Sequence, residues 1–316
     1  MFANGSQGVN VEILSANPRN YYHVISAGAA MPRVLIDGKL FLPPTGLAPG
    51  RRPLVIVVPG SLGVAQTHLA HAETLTDMGI AAFVLDPFAG RGVQSTVANQ
   101  TLFSFAASAY DVLAAFLVLR ERADVEPLRI GAQGHSRGGS AVLTAATRRF
   151  AEAVVGARGA LKAVFAAYPW SGHQFLDPSV GSTDVRVLMG DRDEWCSPMQ
   201  VQGHVHAMRL AGGAARLRLL AGAAHSFDRD APLRRVDEAR VSPAMPTAYI
   251  ADDGSLIHPI EGQPNPQLLD RDLMVYGLKA GYGVKGASIG SAGTEPALFR
   301  ADMIEFWRRT LLNGAS

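Results

Sequence analysis

The chain lacks most of the features that would place it outside the ordinary globular proteins. It has 316 residues and a single cysteine, Cys196, so it can form no intrachain disulfide and no cysteine-rich zinc or iron–sulfur site. Its formal net charge is only +2, without long blocks of like charge, so we expect no nucleic acid and no anionic membrane as a partner. Apolar residues make up 48% of the chain, which is enough to bury a large core.

The sequence pattern also predicts no secretory signal and no membrane-spanning helix. The amino terminus has no basic segment leading into an apolar segment, as a secretory signal would. The longest apolar stretch, from Ala106 to Leu119, is interrupted by Ser108 and Asp111 and is shorter than the roughly 20 residues that span a bilayer. Together with the single cysteine, these absences predict a cytoplasmic protein.

Strand-like and helix-like segments alternate along most of the chain. Short apolar runs predict strands at Leu54–Val58, Ile80–Leu85, Leu128–Ala132, Leu161–Tyr168, Val185–Met189 and Ala215–Leu220. Helical periodicity and capping residues predict helices over His68–Met78, 106–117, 137–150, 197–210 and Pro296–Leu312, the last with an inner face of Phe299, Met303, Phe306 and Thr310. The alternation predicts an α/β fold with a largely parallel, twisted sheet and helices on both faces.

Two segments do not follow this alternation. Residues 1–33 are weakly periodic and are interpreted as an N-terminal extension, followed by a strand or hairpin over Arg33–Pro43 with turn chemistry at Asp37-Gly38. Residues 229–295 are rich in Pro, Gly and Asp, and an excursion of that length is expected to carry local structure as a lid, an edge elaboration or an oligomer contact. No linker divides the chain, so we expect a single domain over residues 1–316.

The most informative motif is the glycine-rich segment 134–138, which reads G-H-S-R-G. It follows a predicted strand and precedes a predicted helix, as a G-x-S-x-G nucleophile turn must. A serine on such a sharp turn has strained backbone angles, and the glycines on either side leave room for the turn to pack. The pattern predicts Ser136 as a nucleophile; the alternative is a glycine-rich turn with an incidental serine.

A serine nucleophile needs a histidine base held by a carboxylate, and in folds with this turn the chain order is serine, acid, histidine. Asp191 and Asp193 follow one predicted strand and His225 follows the next, at the sheet edge where open α/β sheets gather functional loops. We favour Asp193 because it lies further beyond the strand end, whereas Asp191 can satisfy the turn backbone. For the oxyanion donors we select the amides of Arg137 and of Ser61, in the loop 59–63.

Five segments together resemble the dienelactone hydrolase family of α/β-hydrolases. They are Val57–Gly63, Leu85–Gly92, Gly134–Gly139, Gly190–Pro198 and Ala224–Phe227, and the resemblance covers about residues 34–228 and the last helix. It implies Ser136 as nucleophile, Asp193 as acid and His225 as base. Dienelactone hydrolases proper have a cysteine at the nucleophile turn and a glutamate at the start of the oxyanion loop, where this chain has Ser136 and Gly60. The resemblance therefore extends to ester hydrolysis rather than to the dienelactone substrate.

Other side chains are weaker candidates. Arg91 could bind a substrate carboxylate or be a solvated loop residue, and Trp170 and His173 could line the substrate pocket or cap the sheet edge. The histidines at 68 and 71 are one helical turn apart, but no third metal ligand is evident, so we expect solvated residues and no metal site. Cys196 is interpreted as a packed thiol near the acid loop.

The sequence thus predicts a serine hydrolase that cleaves a small-molecule ester or lactone through an acyl-enzyme and needs no cofactor. An acyltransferase, or an amidase or peptidase, would use the same triad, because the acceptor depends on the pocket walls. A third hypothesis is a protein with a hydrolase fold that has no catalytic activity and serves in binding. The sequence leaves a homo-oligomer open.

Overall fold

The computed structural model describes residues 1–44, 47, 50–157 and 159–313. The strands in this part of the chain are β1 (Gly8–Ala16), β2 (Arg33–Phe41), β3 (Arg52–Val58), β4 (Ala81–Asp86), β5 (Val125–His135), β6 (Ala163–Ala167), β7 (His173–Phe175), β8 (Asp184–Gly190), β9 (Ala215–Leu220), β10 (Arg234–Val241), β11 (Ala248–Ile250), β12 (Leu256–Ile257), β13 (Pro264–Asn265) and β14 (Val284–Ile289). The helices are α1 (Tyr21–Ile25), α2 (Gln66–Asp77), α3 (Phe105–Arg120), α4 (Arg137–Ala146), α5 (Arg148–Val155), α6 (Pro198–Leu210), α7 (Asp270–Lys279) and α8 (Glu295–Trp307).

The main sheet has the strand order β1-β2-β4-β3-β5-β6-β8-β9. From β4 to β9 neighbouring strands are parallel, whereas β1 and β2 form an antiparallel edge. The central strands β3, β4 and β6 are almost entirely buried because helices cover both faces, as apolar β-branched runs such as Leu54–Val58 predict. The α/β fold class predicted from the alternation is confirmed.

Alternation along β5 shows how the two faces are covered. Gly131 and Gly134 are three positions apart, so they face opposite sides of the sheet. Gly131 lies against Trp307, at the end of α8, and Gly134 lies against the first turn of α4. α2 also packs on α8, and α3 packs on α4. The predicted inner face of the last helix is confirmed, since Phe299, Met303 and Phe306 of α8 and Thr310 in the helical turn after it are all buried. No helix in the described residues is both long and apolar enough to cross a membrane.

The expected turn at Asp37-Gly38 is wrong. β2 runs through both residues, and a Cβ on Gly38 would collide with the ring of Phe83 on the neighbouring strand. The glycine therefore makes room for an aromatic side chain instead of reversing the chain. The weakly periodic N-terminal segment contains β1, which pairs along its whole length with β2.

The predicted helix over 137–150 is two helices. α4 ends at Ala146 because Thr147 leaves the helical region with φ −66° and ψ 123°, and α5 begins at Arg148. The Arg148 amide then donates to the carbonyl of Ser179, so a contact with a distant loop replaces the helical bond at the break.

Residues 229–295 carry local structure, as expected. β10 and β14 form an antiparallel pair, and α7 lies between them in the sequence. β11, β12 and β13 form a second small sheet with β7. Because His225 bridges to Ile289 of β14, the β10–β14 pair lies beside the carboxyl-end loops of the main sheet.

Candidate active site

The turn at Ser136 connects the end of β5 directly to the start of α4. Ser136 has φ 54° and ψ −116°, a region that non-glycine residues rarely adopt and that is strained. A Cβ on Gly134 would collide with the carbonyl of Gly138, and one on Gly138 would collide with the carbonyl of Val58. The glycines of the motif are thus required by close backbone approach, and the turn lifts the serine side chain to the end of the sheet.

Ser136, His225 and Asp193 form one hydrogen-bonded chain. The Ser136 Oγ lies 2.9 Å from His225 Nε2, and His225 Nδ1 lies 2.7 Å from Asp193 Oδ2. Asp193 Oδ1 accepts the backbone amides of Trp195 and Cys196 at 2.8 and 2.9 Å. Because the carboxylate accepts Nδ1–H, the Nε2 lone pair faces the serine hydroxyl, which is the arrangement that general-base activation requires.

Asp191 lies close to this chain but does not join it. Its Oδ1 accepts the amide of Gly222 at 2.7 Å, so it ties the loop after β8 to the turn after β9. The structure therefore brings Asp193, the preferred of the two aspartates, to His225.

The loop 59–63 packs directly against the nucleophile turn. A Cβ on Gly60 would lie 3.1 Å from the Ser136 Cβ, so a side chain there would require the two turns to move apart by a few tenths of an ångström. Ser61 and Arg137 line the same cavity as Ser136, and neither backbone amide has an acceptor among the described hydrogen bonds. Both selected amides are therefore available to a ligand atom bound at Ser136.

The cavity at Ser136 has a volume of about 250 Å³. Three aromatic side chains line it, Phe105, Trp170 and Trp195, and one side is supplied by the 229–295 excursion, including Arg240, Met274, Leu278 and Lys285. The excursion thus forms part of the site. Sequence reasoning missed these excursion residues and Trp195, because no motif marks a side chain that reaches the site only through tertiary packing.

Arg91 does not lie at this cavity, and its proposed contact with a substrate carboxylate is wrong. Its guanidinium pairs with both oxygens of the buried Asp111 at 2.8 and 2.9 Å, and it also donates to Asn17 Oδ1 and to the carbonyls of Ala16 and Pro87. All five N–H donors are occupied. Arg91 is therefore neither a substrate ligand nor a solvated residue but joins α3 to β1 and the loop after β4.

Of the two pocket candidates after β6, only Trp170 reaches the cavity. Its ring stacks on Phe105 with centroids 4.3 Å apart. His173 lies behind it, edge-on to the Trp170 ring, and contacts the hydroxyl of Tyr21 at 3.2 Å. His173 therefore supports the wall from the protein side, which corrects its assignment as a substrate contact.

His68 and His71 are buried, so the expectation of solvated helix residues is wrong. His71 Nε2 lies 2.8 Å from Asp228 Oδ2, which the sequence did not single out. Asp228 also accepts the hydroxyls of Tyr168 at 2.6 Å and Thr67 at 3.1 Å. Burial favours a raised carboxyl pKa, but hydrogen bonds from His135 and His71 hold the pKa of Asp228 well below its ordinary value.

Two groups of buried donors have ligand atoms within 4.8 Å of one another in the described residues. They are His71 with His135 and Asp228, and Asp193 with Cys196 and His225. In both groups the carboxylate is already hydrogen-bonded to the histidine. Cys196 lines the cavity next to Ser136, and burial raises the pKa of its thiol well above the ordinary value.

Comparisons with known proteins identify the family to which this fold belongs. The sequence model of the dienelactone hydrolase family matches residues 36–246, and no curated protein matches the sequence. A dienelactone hydrolase from Anabaena variabilis is 19% identical, with a TM-score of 0.50, over 70% of this chain and 88% of that chain. An α/β-hydrolase from a Medee basin deep-sea metagenome library is 17% identical, with a TM-score of 0.50, over 71% of this chain and 84% of its own.

The protein is therefore an α/β-hydrolase, as its sheet order and the turn at residue 136 already indicate. More narrowly, the chain belongs to the dienelactone hydrolase family and is a carboxylic ester hydrolase.

Proposed function

We propose that this protein hydrolyses small carboxylic esters or lactones through an acyl-enzyme formed on Ser136. The observation that carries the proposal is the chain from Asp193 through His225 to the Ser136 Oγ, with both distances below 3.0 Å, at the wall of a cavity. We further propose that residues 1–316 act as one domain, since the first strand joins the main sheet and the excursion forms a wall of the cavity.

In the first half-reaction the Ser136 Oγ attacks the ester carbonyl carbon while His225 Nε2 takes its proton. Asp193 holds Nδ1–H and stabilises the imidazolium that forms. The amides of Ser61 and Arg137 donate to the oxyanion of the tetrahedral intermediate, and such donors contribute most where water is excluded. Collapse of the intermediate breaks the bond to the leaving oxygen, which receives the proton from His225.

In the second half-reaction His225 takes a proton from a water molecule, which attacks the acyl-enzyme carbonyl. The intermediate collapses, the acid leaves, and Ser136 regains its proton from His225. Cys196 is a second potential nucleophile at the cavity wall, but its raised pKa keeps the thiol protonated at neutral pH. We therefore assign the attack to Ser136.

The test compares Ser136→Ala with Cys196→Ala. Ser136→Ala should fold normally and lose at least about a thousandfold in kcat on p-nitrophenyl esters and small lactones, as removal of a triad nucleophile does. A fluorophosphonate probe should label wild-type protein and Cys196→Ala but not Ser136→Ala. Turnover retained by Ser136→Ala, or labelling lost only in Cys196→Ala, would contradict the assignment.

A further inference from the structure

The charged side chains that line the cavity at Ser136 are all positive. Three cations line it, namely Arg137, Arg240 and Lys285, and no Asp or Glu is among its lining residues in the described part of the chain. The guanidinium of Arg137 donates only to neutral acceptors, the carbonyls of Gln100 and Phe103 and the hydroxyl of Ser108. Burial lowers the pKa of Arg137 to about 10, while the nearby charges of Asp270 and Asp111 act in the opposite direction, so Arg137 is still charged at neutral pH.

Arg240 and Lys285 are directly opposite each other in the β10–β14 pair. Residues opposite each other in an antiparallel pair project from the same face, and like charges there repel. Neither residue forms an ion pair within residues 1–44, 47, 50–157 and 159–313. Arg240 Nη1 donates only to the carbonyls of Glu238 and Ala239. An anion held between the two side chains would remove this repulsion.

The two cations lie at a fixed separation from the catalytic histidine. His225 bridges to Ile289 of β14, and Lys285 lies four positions earlier on that strand, which is at most about 13 Å along the backbone. Apolar side chains, among them Trp195, Met274 and Leu278, share the cavity with both. An anion at Arg240 and Lys285 is therefore compatible with a substrate that has an apolar spacer between that anion and the scissile carbonyl.

The pair is built on the excursion. Lys285 lies beyond residues 36–246, where the family match ends, and Arg240 lies beside a register shift that follows Val236. We propose that Arg240 and Lys285 form an anion subsite that selects esters carrying a carboxylate at the far end of an apolar spacer. This inference rests on the proposed ester hydrolysis at Ser136 and specifies its substrate class.

The test uses two matched series of p-nitrophenyl esters. One series consists of monoesters of dicarboxylic acids from glutarate to suberate, and the other consists of neutral esters with the same number of acyl carbons. In the double variant R240Q/K285Q we expect kcat/KM to fall roughly tenfold or more on the anionic series, because charge-assisted hydrogen bonds are lost, and less than about twofold on the neutral series. The double variant R271Q/K279Q removes the same two kinds of charge from exposed residues of α7 that do not line the cavity, and should change neither series.

A titration without turnover makes the subsite testable by itself. Free suberate, added to wild-type protein, should change the fluorescence of Trp170 and Trp195, which line the cavity. The dissociation constant should rise at least about tenfold in R240Q/K285Q and with 0.5 M salt. Equal kcat/KM losses on both series, or an unchanged dissociation constant in the double variant, would overturn the subsite. Absence of Ser136-dependent turnover of either series would overturn the proposed function, while the suberate titration would still decide the subsite.

Discussion

Two buried carboxylate–histidine pairs lie side by side in this protein. Asp193 and His225 are 2.7 Å apart, Asp228 and His71 are 2.8 Å apart, and both carboxylate side chains are fully buried. In the first pair the other carboxylate oxygen accepts two backbone amides, and the second histidine nitrogen faces Ser136 and the cavity. In the second pair Asp228 also accepts the hydroxyls of Thr67 and Tyr168, and the His71 ring packs on His135 and Phe299.

The difference shows that pairing alone does not make a histidine a base. A base needs a free lone pair within reach of a substrate proton, and only His225 has one directed at a nucleophile beside a cavity. Asp228 instead connects α2, the end of β6 and the loop after β9. We infer that the first pair acts in the reaction and the second fixes the scaffold under it.

Asp193→Asn provides the strongest test of this division. The amide cannot hold the same histidine tautomer, so kcat should fall by about four orders of magnitude. The free energy of unfolding should fall by less than it does in Asp228→Asn. The reason is that the backbone amides of Trp195 and Cys196 still find an oxygen acceptor on the asparagine. The measurements are steady-state ester hydrolysis and urea unfolding; a fall of less than tenfold would show that Asp193 is not the orienting acid.

Asp228→Asn should have the opposite pattern. Asparagine offers one acceptor oxygen where the carboxylate offers two, and each buried donor left without an acceptor costs about 1–3 kcal/mol, so the urea midpoint should fall sharply while kcat of the folded fraction stays within about tenfold. Asp191→Asn is the matched control, because this exposed carboxylate makes one turn contact and should cost less than about 1 kcal/mol. If Asp228→Asn were as stable as Asp191→Asn, the scaffold role would be wrong.

Acid should reduce the stability difference between wild type and Asp228→Asn. The pKa of Asp228 is held well below its ordinary value of about 3.9, so the unfolded chain binds this proton more readily than the folded chain does. The stabilisation is fully present above about pH 4 and is lost as the pH falls below that value, by at most about 1.4 kcal/mol per pH unit. Unfolding free energies of wild type between pH 5 and 3 should therefore decline more steeply than those of Asp228→Asn; parallel slopes would contradict the shift.

Tyr168→Phe should have the smallest effect and tests the contact between the two pairs. The Tyr168 hydroxyl donates to Asp228, and its ring lies 4.7 Å from the His225 ring. Loss of the hydroxyl should cost about 1–2 kcal/mol of stability and leave kcat within a few-fold, because the ring is kept. A double-mutant cycle with Asp228→Asn should give a coupling of about 1 kcal/mol. A coupling near zero would show that the hydroxyl does not stabilise the Asp228 charge.

The central sheet was predictable because its strands have local signatures. Six predicted strands, from Leu54–Val58 to Ala215–Leu220, correspond to β3, β4, β5, β6, β8 and β9. Their buried, β-branched runs identify a strand covered on both faces without knowledge of its neighbours. β1 was missed because it lies at the sheet edge, where its first three residues are exposed and the apolar alternation is weak.

The candidate site divides in the same way. Ser136, Asp193 and His225 follow predicted strands, and the motif and chain order pointed to them before their distances were known. Arg91 and His173 also follow strands, but their side chains turn into the protein toward Asp111 and Tyr21. Position in the chain places a residue at the right end of the sheet, whereas side-chain direction depends on the partners that packing supplies.

The amino-acid sequence by itself determined the hydrolase fold class, the nucleophile turn and the order of the three candidate catalytic residues, because these depend on local backbone demands and on strand ends. Only the tertiary structure decided which carboxylate meets which histidine, which arginines are occupied and which cations face the cavity. Those outcomes depend on bringing to one cavity residues as distant in the chain as Arg137, Arg240 and Lys285. No local pattern can encode such contacts, since they exist only once the excursion has folded over the sheet.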